Sequence, residues 1–201
     1  MPTPLQIGIT GNIGSGKSLV CRIFQTLEVP VYDADSHAKE LMTTDGILIS
    51  NIKKEFGELS YNTDGSLNRK YLSSSVFNDA TKLKILNGLV HPRVREDYLQ
   101  WYARRRESPY VLKEAALLFE AGSAGELDKV IVVDAPQPLR IQRVIGRDPY
   151  RTVDQVMNIE MNQMSAIEKV NRADFVVTND ETVLVIPQVL ELHSRFLSTN
   201  R

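Results

Sequence analysis

Leu5-Gln6-Ile7-Gly8-Ile9-Thr10 runs directly into Gly11-Asn12-Ile13-Gly14-Ser15-Gly16-Lys17-Ser18. The first stretch is short, apolar and rich in β-branched residues, so it reads as a buried strand. The second is a complete G-x-x-x-x-G-K-S pattern. Beyond it Leu19, Val20, Ile23, Phe24 and Leu27 recur at helical spacing, which predicts a helix over 18–27 with its N-terminus facing the loop. Glycines let the backbone curl until its N–H groups point inward, and the helix adds its positive end, so the loop from Gly11 to Ser18 is expected to cradle a polyphosphate. Lys17 is expected to reach the β and γ phosphates and the Ser18 hydroxyl to ligate Mg²⁺. A dinucleotide-binding turn is the rival reading, but Leu19 stands where its third glycine belongs and Lys17-Ser18 has no role in it.

The rest of the chain is ordinary in composition. Its 201 residues are 42% hydrophobic and 24% charged with a formal net charge of -1, so nothing demands a polyanion or a membrane surface, and an anionic ligand must be held by local positive charge. The lone Cys21 forms no internal disulfide and reads as a small buried thiol of a reducing compartment. No secretory leader pattern and no run of about 18 apolar residues occurs, which predicts a cytoplasmic protein.

Apolar runs at Val29–Asp33, Tyr110–Glu114, Lys129–Asp134 and Asp174–Thr178 supply four further strands, none strictly alternating, as expected for strands covered on both faces. Helical patterns lie between them, over about 139–147 and 153–163, and over 181–196 at the end. Strands separated by helices predict an α/β fold with a parallel sheet and a ligand at the strand C-terminal ends. From Ser36 to about Ser108 the signals are mainly helical, the reading being an inserted subdomain, with a break at His91-Pro92 where Pro92 opens a new helix.

Phosphoryl transfer to a small acceptor needs a carboxylate to orient a hydroxyl and take its proton. Asp33-Ala34-Asp35 ends the second strand, and carboxylates at i and i+2 of extended chain project the same way, one toward Mg²⁺ through water and one toward an acceptor; capping of the next helix is the plainer alternative. Glu114 ends the third strand where it can hold Mg²⁺ through water. Arg140, Arg143 and Arg147 at i, i+3 and i+7 fit either a lid closing over phosphates or a solvated basic face. His91 reads first as a structural histidine. No guanine-reading N-K-x-D, D-x-x-G switch, zinc-site spacing or G-x-S-x-G elbow occurs, which weighs against a nucleotide switch, zinc hydrolysis and acyl transfer; a kinase acting on some nucleotide or nucleoside stays open.

Taken in order, Ile9 to Ser18 (I-T-G-N-I-G-S-G-K-S), Val31 to Asp35 (V-Y-D-A-D), His91 to Arg95 (H-P-R-V-R), Glu114 to Glu120 (E-A-A-L-L-F-E), Arg143 to Asp148 (R-V-I-G-R-D), Asn162 to Ser165 (N-Q-M-S) and Ala173 to Asn179 (A-D-F-V-V-T-N) closely resemble the dephospho-coenzyme A kinase family. The resemblance implies a P-loop NTPase core with a five-stranded parallel sheet in order 2-3-1-4-5, formed by 1–35, 109–140 and 165–201. It implies a helical acceptor-binding subdomain over 36–108 and a small helical lid over 141–164. The implied reaction is ATP- and Mg²⁺-dependent phosphorylation of the 3'-hydroxyl of dephospho-CoA, with small-molecule substrates only and no nucleic acid, membrane or obligatory protein partner. It casts Asp35 as the base, Lys17, Asp33, Arg143 and Arg147 as further catalytic residues, and Asp35, His91, Arg95 and Glu120 as the acceptor site. The chain departs from the family pattern at Asn12, at Glu114 and Ala116 (usually Asp and Pro), and at Ile159 (often Arg).

Overall fold

The computed structural model describes residues 3–76 and 79–199. Five strands, β1 (Leu5–Thr10), β2 (Val31–Asp33), β3 (Tyr110–Glu114), β4 (Lys129–Asp134) and β5 (Phe175–Thr178), pair in parallel in the order β2-β3-β1-β4-β5. This is the α/β sheet and the strand order expected. Alternation along the central strands divides their side chains between two faces. On one face Ile7, Ile9, Ile131 and Val133 pack against Val20 and Phe24 of α1 (Lys17–Thr26) and against Val189, Leu192 and Phe196 of α9 (Val185–Thr199). On the other, Val130 and Val132 pack with Leu118, and Gly8 leaves room that Leu118 and Leu127 fill. Burial on both faces explains why these strands are apolar runs.

The chain divides into two compact units, Met1–Asp33 with Tyr102–Arg201, and Ala34–Trp101. The first holds the sheet, α1 and α9, together with α6 (Gln137–Arg147), α7 (Val153–Met161) and α8 (Ala166–Arg172). The second is helical: α2 (Ala34–Thr44), α3 (Gly46–Phe56), α4 (Arg69–Val76) and most of α5 (Ala80–Ala103), around buried Leu48, Ile52, Leu72, Val90, Val94 and Tyr98. Asp45 caps α3 by accepting from the N–H groups of Ile47 and Leu48, and its other oxygen takes the Arg93 guanidinium of α5 at 2.6 Å.

Two local readings need correction, and one helix has no counterpart among the sequence readings. No helix break falls at His91-Pro92, because α5 runs through Pro92. Proline removes one backbone donor and crowds the carbonyl four residues earlier, but buried Val90 on one side and Val94 and Tyr98 on the other hold the helix together. Asp33 and Asp35 do not share an extended segment either: β2 ends at Asp33 and α2 begins at Ala34, which puts Asp35 in the first helical turn, where a carboxylate complements the helix dipole. Finally, α8 was hidden in a stretch whose helical signal is only seven residues long; its Ser165–Glu168 capping box was the legible mark.

Phe24 is fully buried, with its ring set edge-on to Tyr110 at 6.3 Å between β3 and α1. Replacing it by Ala is expected to destabilise the protein by about 3–5 kcal/mol, read as a shift in the urea unfolding midpoint with an unchanged slope.

Candidate active site

The loop between β1 and α1 is shaped by close backbone approaches. A Cβ at Gly11 would collide with the Val133 carbonyl and one at Gly14 with the Arg140 carbonyl, and both residues have positive φ, 153° and 80°. Only glycine meets both demands. Inside the curl Ser15 N–H donates to the Asn12 carbonyl at 3.1 Å, while the N–H groups of Gly14 and Gly16 donate to no group among the described residues. Lys17 Nζ lies 2.8 Å from the Gly11 carbonyl, so its ammonium is folded back across the loop mouth. The Ser15 hydroxyl is buried and finds no partner among the described residues. Open N–H groups, a nearby ammonium and the start of a ten-residue helix together suit a polyphosphate.

A carboxylate pair faces the other side of the helix start. Asp33 and Glu114 are register partners at the ends of β2 and β3, and Glu114 Oε1 accepts from the Ser18 hydroxyl at 3.1 Å. Burial pushes the Glu114 carboxyl above its ordinary range; donation from Cys21 and Ser18 pulls it back, the negative charge of Asp33 raises it further, and Lys17 lowers it. The same burial and the Glu114 charge push the Cys21 thiol up, so it stays protonated. No group of three His, Cys, Asp or Glu side chains fit to hold a metal occurs among the described residues. A divalent cation here finds one hydroxyl and two carboxylates, a set of hard oxygens that suits Mg²⁺ when phosphates and water complete its shell.

The three arginines of α6 do not form one basic face. Arg140 is buried, donating to the Ala135 carbonyl at 2.9 Å and pairing with Glu160 of α7. Arg143 is half-buried and donates to the Asn179 carbonyl at 2.9 Å and to Glu181 at 3.1 Å. Arg147 is exposed at the C-terminal end of α6. Asn179, past the end of β5, donates to the Ser15 carbonyl at 2.8 Å, so Arg143 steadies a residue that braces the loop. Asn179 and Arg140 were not singled out as site residues from the sequence; Asn179 was legible only as part of a motif, and Arg140 only as one of three spaced cations.

In the helical unit His91 and Arg95 lie one turn apart on α5 and are exposed, as is Asp35 on α2. Glu120 belongs to the sheet unit; its carboxylate accepts from the Met164 N–H at 2.6 Å and pairs with buried Lys169 at 3.1 Å. The structure therefore brings the loop, Asp33 and Glu114 together at one sheet rim and gives Glu120 partners of its own.

The family model for dephospho-CoA kinase matches residues 5–184. The chain belongs to the dephospho-CoA kinase family. It is 38% identical over 188 residues to a dephospho-CoA kinase of Bacteroides fragilis, covering 94% of this chain and 91% of the relative, and 39% identical over 186 residues to one of Chlorobaculum tepidum, covering 90% and 88%. A crystal structure of a Thermus thermophilus protein, 35% identical, superposes with a TM-score of 0.86 over 96% of this chain and 98% of that one. A dephospho-CoA kinase from Campylobacter jejuni, 24% identical, shares the fold with a TM-score of 0.71 over 98% of both chains.

In this dephospho-CoA kinase family member the buried carboxyl of Glu114 predicts a pH signature. Because burial raises the folded pKa above the unfolded one, the carboxyl contributes stability in full below about 4.5 and loses it as pH rises through the higher folded value. Glu114→Gln, which cannot ionise, is expected to melt above the parent protein at about pH 8 and level with it near about pH 4, measured by calorimetry across that range.

Proposed function

We propose that the protein transfers the γ-phosphoryl group of ATP to the 3'-hydroxyl of dephospho-CoA, giving CoA and ADP, the last step of coenzyme A synthesis. The observation that carries this reading is a phosphate loop with a carboxylate pair at its rim in a chain that matches dephospho-CoA kinases over nearly its whole length.

The loop binds the triphosphate through its inward N–H groups, and Lys17 exchanges the Gly11 carbonyl for β- and γ-phosphate oxygens. Ser18 would hold Mg²⁺ directly and Asp33 and Glu114 would hold it through water, and the cation would supply positive charge to offset that of the phosphates. Asp35 accepts the proton of the 3'-hydroxyl as that oxygen bonds to the γ-phosphorus; the bond from γ-phosphorus to the β,γ-bridging oxygen breaks, and ADP leaves. His91 and Arg95 take anionic and polar groups of the acceptor. The segment 141–164, anchored at its end where Gln163 and Met164 hold the phosphate loop, acts as a lid, with Arg143 and Arg147 stabilising the transferred charge and the closed lid excluding water that would otherwise hydrolyse ATP.

Purified protein given ATP, Mg²⁺ and dephospho-CoA is expected to release ADP and 3'-phosphorylated CoA in equal amounts, followed by chromatography and mass spectrometry; ADP without that product would refute the acceptor. Asp35→Asn is expected to lower kcat by roughly 10²- to 10⁴-fold while ATP affinity stays within about 2-fold. An unchanged rate in that variant would assign proton transfer to Asp33.

A further inference from the structure

Four residues, Asn162-Gln163-Met164-Ser165, connect α7 to α8 and form no regular element of their own. They nevertheless touch the tip of the phosphate loop twice. Gln163 Oε1 accepts the Ile13 N–H at 2.9 Å, and the Met164 carbonyl accepts Asn12 Nδ2 at 3.2 Å. This strap is itself tied down, since the Met164 N–H donates to Glu120 Oε1 at 2.6 Å and Glu120 pairs with Lys169, which has no exposed surface and also donates to the Ala116 carbonyl at 3.2 Å. A second support comes from α6: Arg140 NH1 donates to the Ile13 carbonyl at 3.4 Å, and the guanidinium is fixed by the Ala135 carbonyl and Glu160.

Two successive peptide planes are therefore held by side chains outside the loop. The Ile13 N–H belongs to the plane shared with Asn12, and the Ile13 carbonyl to the plane shared with Gly14. In a trans peptide the carbonyl and the N–H point in opposite directions. Directing the Ile13 carbonyl to Arg140 thus sends the Gly14 N–H the other way, and that N–H is one of the two that donate to no described group. Gly14, with its positive φ and no side chain, would otherwise let this plane rotate at little cost.

We propose that Gln163 and Arg140 are positioning residues that pin the Asn12–Ile13 and Ile13–Gly14 peptide planes, so that the Gly14 N–H is aimed into the phosphate cradle before ATP arrives. Neither side chain touches the reacting atoms. What they supply is preorganisation: the loop does not have to be ordered at the expense of binding energy when the triphosphate enters. Glu120 and Lys169 act one step further out by holding the strap, which gives the Glu120 of the E-A-A-L-L-F-E motif a place in the nucleotide half of the protein.

The proposal rests on the ATP reading above, and nucleotide binding measured without acceptor separates the two. Calorimetric titration of ATP into Gln163→Met, which keeps the length of the side chain and loses its acceptor oxygen, is expected to show a Kd raised about 3- to 10-fold, the range corresponding to the net worth of one hydrogen bond. Affinity for adenosine, which has no phosphate, is expected to stay within about 2-fold of the parent. In turnover the KM for ATP rises by the same factor while kcat and the acceptor KM hold, because the bound triphosphate restores the loop shape. Arg140→Lys, which keeps a cation for Glu160 but not the fork that also serves Ile13 and Ala135, is expected to act in the same direction. An ATP Kd within 2-fold of the parent in Gln163→Met would overturn the proposal, as would a parallel loss of adenosine affinity, which would mark a general loosening of the fold. If the parent binds ATP and Gln163→Met binds it less well, but no 3'-phosphorylated CoA forms, the positioning role stands and the acceptor assignment falls.

Discussion

The structure depends on one steric constraint: at the end of β1 the backbone runs so close to two neighbouring carbonyls that no side chain fits. Val133, in β4, crowds Gly11, and Arg140, in α6, crowds Gly14. Because both contacts are backbone against backbone, the loop, the end of β4 and the start of α6 form one rigid seat. The helix that follows the loop and the helix that follows β4 are then brought together through close glycine backbone approaches, to which the side chain of Arg140 adds its own bond to the Ile13 carbonyl. This is why so small a motif governs so much of the sheet unit.

Charge is distributed around that seat in a consistent way. Glu114 is buried at the rim, Arg140 and Lys169 are buried beside the loop and its strap, and each has an opposite charge or a hydrogen-bond donor within reach. Buried ion pairs contribute little net stability against apolar replacements, because desolvation offsets the attraction. Their value is in selecting a geometry. For Lys169 burial pulls the ammonium below its ordinary pKa and Glu120 works against that pull, so the pair and the strap it holds reinforce each other.

The strands and their parallel pairing were legible because each strand is an apolar run separated from the next by a helical pattern, and because the phosphate-loop pattern anchors β1 and α1 in the sequence; the strand order was legible only through the family resemblance. Boundaries moved by a few residues where capping, not hydrophobicity, decides them. The run through Pro92 was not legible, since proline's local penalty is visible in the sequence and the burial of Val90, Val94 and Tyr98 that outweighs it is not. At the site, the loop and its acidic neighbours could be read from residue type and strand position. The supports could not: Gln163 to Ile13 spans 150 residues and Asn179 to Ser15 spans 164, and a neutral side chain reaching a backbone group leaves no periodicity or charge pattern. Arg140 misled in the opposite sense, because spacing alone grouped it with Arg143 and Arg147 although it faces inward.

The crowding at the glycines also sets which replacements a second mutation can repair. At Gly8 the obstructing atoms are the ends of the Leu118 and Leu127 side chains, so an alanine there has a route to accommodation by trimming either leucine. At Gly14 the obstructing atom is a peptide oxygen that every residue at 140 carries alike. In a genetic selection, suppressors of a Gly8 substitution would therefore map to a few predictable codons, whereas lesions at Gly14 would be recovered only by reversion.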